Sequence, residues 1–220
     1  ALGLLIERAA YKPLRSAPRM SVMISAIGVS YLLQNLATYI TGGLARPYPE
    51  IPFLKGTFML GALKIKIITV VTPLLTILLV IVLMLIINHT KMGMAMRAVS
   101  KDFETSQLMG IKINRVISVT FVIGCFLAAI GSLLYFSNYT SVIPTSGSMP
   151  GLKAFVAAVF GGIGSIPGAV VGAFVIGICE NIMKGAGLTT FSDAFTFVLL
   201  IVILMVKPTG IFGEKNINKV

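Results

Sequence analysis

Charge is what this chain has least of. Only 25 of its 220 residues are charged, 18 basic and 7 acidic, or 11%, against about 25% in an average soluble protein. A soluble domain of this length buries one core under a charged shell, and 25 charges cannot make that shell. The apolar fraction of 56% also excludes an intrinsically disordered chain. Histidine occurs once, as His89, beside Asn88 and Thr90 at a predicted membrane edge, where an interfacial polar role outweighs a catalytic or metal-binding one. The two cysteines, Cys125 and Cys179, lie in apolar runs without a nearby His or acid cluster, so they read as small core residues rather than a disulfide or metal site. There is no G-x-x-x-x-G-K-[ST] loop, no G-x-S-x-G, no H-E-x-x-H and no pair of carboxylates at helical spacing. Phosphate cradling, nucleophilic hydrolysis and zinc hydrolysis are therefore excluded, and no cofactor is expected on this chain.

What remains is apolar sequence in long blocks. No charged residue falls in 20–45, 67–90, 116–152 or 154–179, whereas 88–115 holds seven. Runs longer than about 20 residues match the length a helix needs to cross a bilayer core of about 30 Å. The fold class is therefore an all-α polytopic membrane protein. Six crossings are expected, at 20–40, 67–87 (with Pro73), 116–137, 152–163, 168–183 and 194–206. On the third, Gly124, Ala128 and Ser132 repeat every four positions and offer a face for close helix approach. The fourth is short enough to be either a tilted span or a re-entrant segment. The fifth ends at Glu180 and Asn181. A carboxylate there is either a functional group or a boundary residue solvated by headgroups, and the same holds for Asp193, more firmly on the bland side. Gln34 and Asn35 in the first span either line a polar path or bond to neighbouring helices.

Between the fourth and fifth spans lies Gly161-Gly162-Ile163-Gly164-Ser165-Ile166-Pro167-Gly168. It could be an anion-binding nest, but no basic residue lies within it, and a tight turn between packed helices is the stronger reading. With six crossings, twelve basic residues fall on one side: Arg8, Lys12, Arg15 and Arg19, then Lys91, Arg97, Lys101, Lys112 and Arg115, then Lys207, Lys215 and Lys219. Arg46, Lys55, Lys64, Lys66, Lys153 and Lys184 fall on the other. Positive-inside bias then places the N-terminus, the 88–115 loop and the C-terminus in the cytoplasm. A re-entrant 152–163 would shrink the bias to nine against nine, which favours six crossings. The net charge of +11 reports these loops rather than nucleic-acid binding.

Two segments are too polar to span. The external loop 41–66 contains a turn-like or extended Arg46-Pro47-Tyr48-Pro49. Two extended runs follow, 57–60 and 63–66, around Gly61-Ala62, a hairpin pattern. On the other side, 100–110 reads as a short helix. Ser100 is its expected N-cap, Asp102 and Glu104 suit its positive end, and Gly110 is its stop, with Phe103, Leu108 and Met109 apolar. The chain opens at Ala1 in mid-pattern, so 1–220 is expected to be one transmembrane domain incomplete at its N-terminus.

Four stretches in order along the chain resemble the permease of LIV-type, branched-chain amino acid ABC importers. They are Glu7-Arg8-Ala9-Ala10-Tyr11-Lys12-Pro13-Leu14-Arg15 with Leu33-Gln34-Asn35; Met92-Gly93-Met94-Ala95-Met96-Arg97-Ala98 with Leu108-Met109-Gly110-Ile111; Lys153-Ala154-Phe155 through Gly168-Ala169; and Pro208-Thr209-Gly210-Ile211-Phe212-Gly213. The resemblance implies a pathway shared with a second homologous permease, two cytoplasmic ATPases carrying the ATP and Mg, and a periplasmic or lipid-anchored binding protein, in a bacterial plasma (inner) membrane. It implies that the helix at 100–110 couples to an ATPase. Phe103, Leu108 and Met109 would be apolar anchors and Lys101, Asp102 and Glu104 a polar rim, although Glu104-Thr105-Ser106 only loosely echoes the E-A-A loop of many importers. Gln34, Asn35, Gly161, Gly162, Gly164, Pro167, Gly168 and Glu180 are packing or pathway candidates. The competing readings are a secondary carrier or channel needing no ATPase, and a non-transporting scaffold.

Overall fold

The computed structural model describes residues 2–14, 19–48, 56–60, 63–139, 141–162, 164–207 and 209–213. The Gly61-Ala62 turn, Pro49, Ile163, Pro208, Arg15, Lys55 and the tail basics Lys215 and Lys219 lie outside the described residues. Contacts group the chain into two compact units, Ala1–Pro144 and Thr145–Val220.

The first unit opens with α1 (Leu2–Ile6), which runs on into a wider π-helical segment, Glu7–Tyr11. Then come α2 (Arg19–Thr41), β1 (Arg46–Pro47), β2 (Thr57–Leu60), β3 (Leu63–Lys66) and α3 (Ile67–His89). It closes with α4 (Lys91–Lys101), α5 (Phe103–Leu108), α6 (Ile113–Phe136) and β4 (Ser141–Val142). The second unit holds α7 (Ser148–Gly161), α8 (Ile166–Gly185), a single 3-10 turn (Thr189–Phe191) and α9 (Ser192–Val206).

Helix is the form the composition demands, because hydrocarbon offers no partner to a free N–H or C=O. Among the described residues four helices are long and apolar enough to cross a membrane: Ile67–His89, Ile113–Phe136, Ile166–Gly185 and Thr189–Val206. The chain is thus an all-α, multi-pass membrane protein. α2 has the length, 23 residues, but carries Gln34, Asn35 and several hydroxyls. α7 has only 14 residues, about 21 Å at 1.5 Å per residue. Hydroxyls inside the helices bond back to the preceding turn, as Thr72 Oγ1 does to the Ile68 carbonyl at 2.7 Å and Thr76 Oγ1 to Thr72 at 2.8 Å. Pro73 removes the N–H that would reach the Thr69 carbonyl.

The hairpin is present: β2 and β3 are antiparallel, in a register running from Thr57 opposite Lys66 to Leu60 opposite Leu63. Arg46-Pro47 is extended, as expected, and pairs antiparallel with Ser141-Val142, a partner too distant in sequence to be read. Leu2–Tyr11 is helical and packs along α6 through Tyr11 and Phe121, whose ring centroids lie 5.0 Å apart. Two expectations are corrected. Ser100 is not a cap. It lies inside α4, and the break comes two residues later at Asp102, because the Asp102 carboxylate bonds the next helix's N–H groups better than a hydroxyl inside a continuing helix. Cys125 is exposed on α6 rather than a core residue, and both cysteines are free. Among the described residues nothing stands against Gly124, so the small-residue stripe of α6 has no helix on it at that point.

In the second unit the core is Val156, Ala157, Phe160 and Ile176, with Phe197, Leu200, Ile203 and Ile211 packed around it. Lipid tails are as apolar as these side chains, so helices associate by close packing rather than by escaping water. α7 and α8 achieve this through backbone contact. A Cβ on Gly161 would collide with the backbone of Gly168, and one on Gly172 with the Ala157 carbonyl. Gly168→Val is therefore expected to lower the melting temperature, at about 1–3 kcal/mol for forced overpacking. Gly177→Val, on the same helix with open space around it, is expected to leave it unchanged. Equal melting shifts in the two variants would contradict this packing.

Candidate functional site

Four places bring polar or distinctive residues together, and the first is the elbow between α3 and α6. Thr90 joins α3 to α4: its hydroxyl donates to the Ile86 carbonyl at 2.6 Å and accepts the Gly93 N–H at 3.0 Å. Gly93 is buried, and any side chain there would run into the Ile86 and Ile87 carbonyls, so α4 folds back tightly on α3. α4 turns Lys91, Arg97, Ser100 and Lys101 outward. Ser100 Oγ donates to the Arg97 carbonyl at 2.9 Å.

Asp102 then caps α5. Its Oδ1 accepts the Thr105 N–H at 3.0 Å and its Oδ2 the Thr105 hydroxyl. These bonds, the hydroxyl's first, hold the Asp102 carboxyl below the usual carboxylate range despite a small opposing desolvation. Ser106, buried, donates to the Asp102 carbonyl at 2.6 Å. Gly110, at φ 79°, ends the helix at the stop expected from its residue type. The rest of α5 faces outward. Phe103 is 45% exposed, Leu108 87% and Met109 79%, with Glu104 exposed beside them. An apolar face on so short and polar a segment has no partner among the described residues.

The second place lies in the last three helices. Glu180 Oε1 on α8 accepts from Lys153 Nζ on α7 and from Lys184 Nζ one turn along, both at 2.7 Å. Lys153 Nζ also meets Asp193 Oδ1, in the first turn of α9, at 2.7 Å. Two cations and two carboxylates thus form one neutral chain of charge across three helices. Glu180 is not an isolated intramembrane acid, and Asp193 is not a bystander. The sequence signal for this cluster is Lys153, the only charge between Arg115 and Glu180, because a lone cation in apolar sequence needs a carboxylate.

The third is the glycine-rich turn. Gly162, at φ 109°, stops α7, and Ser165 Oγ caps α8 by accepting the Gly168 N–H at 3.2 Å, with Pro167 in the first turn. The 209–213 segment docks here, as Ile211 N–H donates to the Phe160 carbonyl at 3.0 Å and Phe212 N–H to Gly161 at 2.9 Å. The stretch is a packing turn, with Gly164 (φ 99°) facing open space. Gln34 and Asn35 are not brought to any of these places. Gln34 is half-buried and Asn35 exposed on α2; Gln34 Nε2 donates to Ser30 Oγ at 3.3 Å and Asn35 Nδ2 to the Tyr31 carbonyl at 2.8 Å.

The fourth, unread in the sequence, is a pocket of about 450 Å³ between α3 and the far end of α6. It is lined by Thr69, Thr72, Pro73, Thr76, Tyr135 and Asn138 among others, uncharged throughout. No cluster among the described residues could hold a metal ion.

Two outcomes are expected. Glu180→Gln and Lys153→Met should each destabilise by about 1–2 kcal/mol, less than the roughly 3–5 of a fully buried broken pair because these side chains keep some exposure. A double-mutant cycle on the melting temperature should show coupling between them, and additive shifts would refute the contact. For Asp102, a lowered carboxyl pKa means that the cap is present at neutral pH and is lost only as pH falls through that lowered value, beneath the ordinary carboxylate range. Protection of the Thr105 amide, taken relative to its intrinsic exchange rate at each pH, should therefore fall in acid, and in Asp102→Ala at pH 7 but not in Asp102→Asn.

Comparison with known proteins agrees with this architecture. The family profile described as branched-chain amino acid transport system, permease component, matches residues 1–204. The chain is 39% identical over its whole length to the high-affinity branched-chain amino acid transport system permease protein LivH of Escherichia coli K12, covering 72% of that protein. It is 38% identical, again over its whole length, to BraD of Pseudomonas aeruginosa, the protein of the same description, covering 73%. A probable branched-chain amino acid transport permease of Methanocaldococcus jannaschii is 26% identical over 97% of the chain and 68% of its own length. No solved structure matches. These homologues are transport permeases rather than enzymes, and this multi-pass membrane chain belongs to the permease family of branched-chain amino acid transport systems.

Proposed function

We propose that this chain is the permease subunit of an ATP-driven importer of branched-chain or related amino acids. It would pair with a second homologous permease and be driven by two cytoplasmic ATPases that carry the ATP and Mg. A periplasmic or lipid-anchored binding protein would deliver the substrate, in a bacterial plasma membrane. The observation that carries the reading is α5, a capped helix with an outward apolar face, tied rigidly to two crossing helices. Phe103, Leu108 and Met109 suit the apolar centre of a protein contact, and Lys101, Asp102 and Glu104 its polar rim. An ATPase moving against this face would drive α3 and α6 through the Thr90–Gly93 corner as a lever.

The helices of the second unit support an orientation for the C-terminus. α7 and α9 both start at the charge cluster, and the segment after α9 bonds to the end of α7. α7 therefore reaches the depth at which α9 finishes, which supports a sixth crossing. Six crossings would put the C-terminus on the side of the 88–115 loop, the cytoplasmic side by positive-inside bias. A proton-driven carrier would need a free intramembrane acid, whereas Glu180 is committed to two ammonium groups.

In the reconstituted transporter, Phe103→Asp and Leu108→Asp are expected to reduce substrate-coupled ATP hydrolysis and uptake at least tenfold while inserting normally, the effect of losing about 1.4 kcal/mol or more of contact. Wild-type uptake in both variants would reject α5 as the contact. Ion-gradient uptake without ATP would reject the importer.

A further inference from the structure

The Glu7–Tyr11 segment and the start of α6 enclose a second pocket, of about 410 Å³. Its wall carries Arg8, Lys12 and Arg115, all exposed, and the buried carboxylate of Glu7, whose Oε2 accepts the Ser118 hydroxyl at 3.1 Å. Among the described residues none of the three cations forms an ion pair; those present involve Lys153 and Lys184. Three cations less one carboxylate leave the lining at +2. Positive-inside bias counts these cations toward orientation but gives them no ligand.

Position narrows what the charge can attract. Ile113 is the first residue of a crossing helix, so the pocket sits where chain enters membrane. The same wall continues into apolar surface: Leu4 lines the pocket four residues before Arg8, which stands four before Lys12. Leu2 and Leu5 beside it are 61% and 67% exposed. A free anion would need only the cations. A cytoplasmic protein would not reach leucines on a helix that packs along α6. A ligand with a phosphate head and hydrocarbon tails meets both halves, and basic pockets at membrane boundaries attract such heads at about 1 kcal/mol per cation.

We propose that the Arg8–Lys12–Arg115 pocket binds the phosphate of an anionic phospholipid whose acyl chains lie along Leu2, Leu4 and Leu5. The lipid head bridges the Glu7–Tyr11 segment and α6, and ties the N-terminal helix to the crossing helix from outside the protein.

The test uses the intact permease, purified in detergent and titrated with short-chain phosphatidylglycerol or phosphatidylcholine, with melting temperature as the readout. Phosphatidylglycerol is expected to raise it and phosphatidylcholine to leave it unchanged. Arg8→Gln and Arg115→Gln should each weaken the phosphatidylglycerol response about fivefold, whereas Lys91→Gln, at the start of α4, should not. Lys12→Gln supplies a third variant should either arginine change fail to fold in phosphatidylcholine. Full affinity in the arginine variants would overturn the site. An equal response to glycerol phosphate would make it a free-phosphate site and overturn the lipid. Variants that keep lipid affinity but no longer co-purify with the ATPases would make it a protein contact, and overturn the proposal likewise.

Discussion

Hydrocarbon gives nothing to a stray N–H, hydroxyl or charge, and each feature of this chain answers to that deficit. The backbone answers with helix, and Thr72 and Thr76 answer by bonding to their own preceding turns. Lys153 cannot answer alone. It recruits Glu180 from α8 and Asp193 from α9, and so ties three helices at one end. The charge chain holds the helices together as a consequence of needing to be neutral.

The same solvent removes the usual reason for helices to associate. Apolar faces gain nothing by leaving lipid for each other, so contact must come from backbones close enough for dense packing. Glycine at 161, 168 and 172 supplies that for α7 and α8, and Gly93 does so where α4 folds against α3. Where no such contact exists the faces stay open. α2 keeps Tyr31 63% and Tyr39 88% exposed, and nothing stands against Gly124. On the proposed reading these two kinds of surface would have different tasks: the Thr90–Gly93 corner would transmit motion, and the open faces would receive a neighbouring helix or a moving substrate.

Much of this was legible. The uncharged runs located α2, α3, α6, α8 and α9 to within a few residues, because a span needs length and apolarity and both are local. Gly110 as a stop and the hairpin register were local as well. The short helix was misplaced by two residues. Ser100 and Asp102 both have cap chemistry, and the choice depends on whether Thr105 lies within reach of a carboxylate. That is a matter of geometry rather than of residue type.

By itself the sequence determined the solvent, the secondary structure and the family, through composition, run length and ordered motifs that each residue carries regardless of its neighbours. Tertiary structure alone decided which charges meet. Lys153 and Asp193 stand forty residues apart, and Arg8 and Arg115 more than a hundred. Hydrogen bonds and ion pairs act over a few ångströms, so their partners are set by how helices pack and not by spacing along the chain.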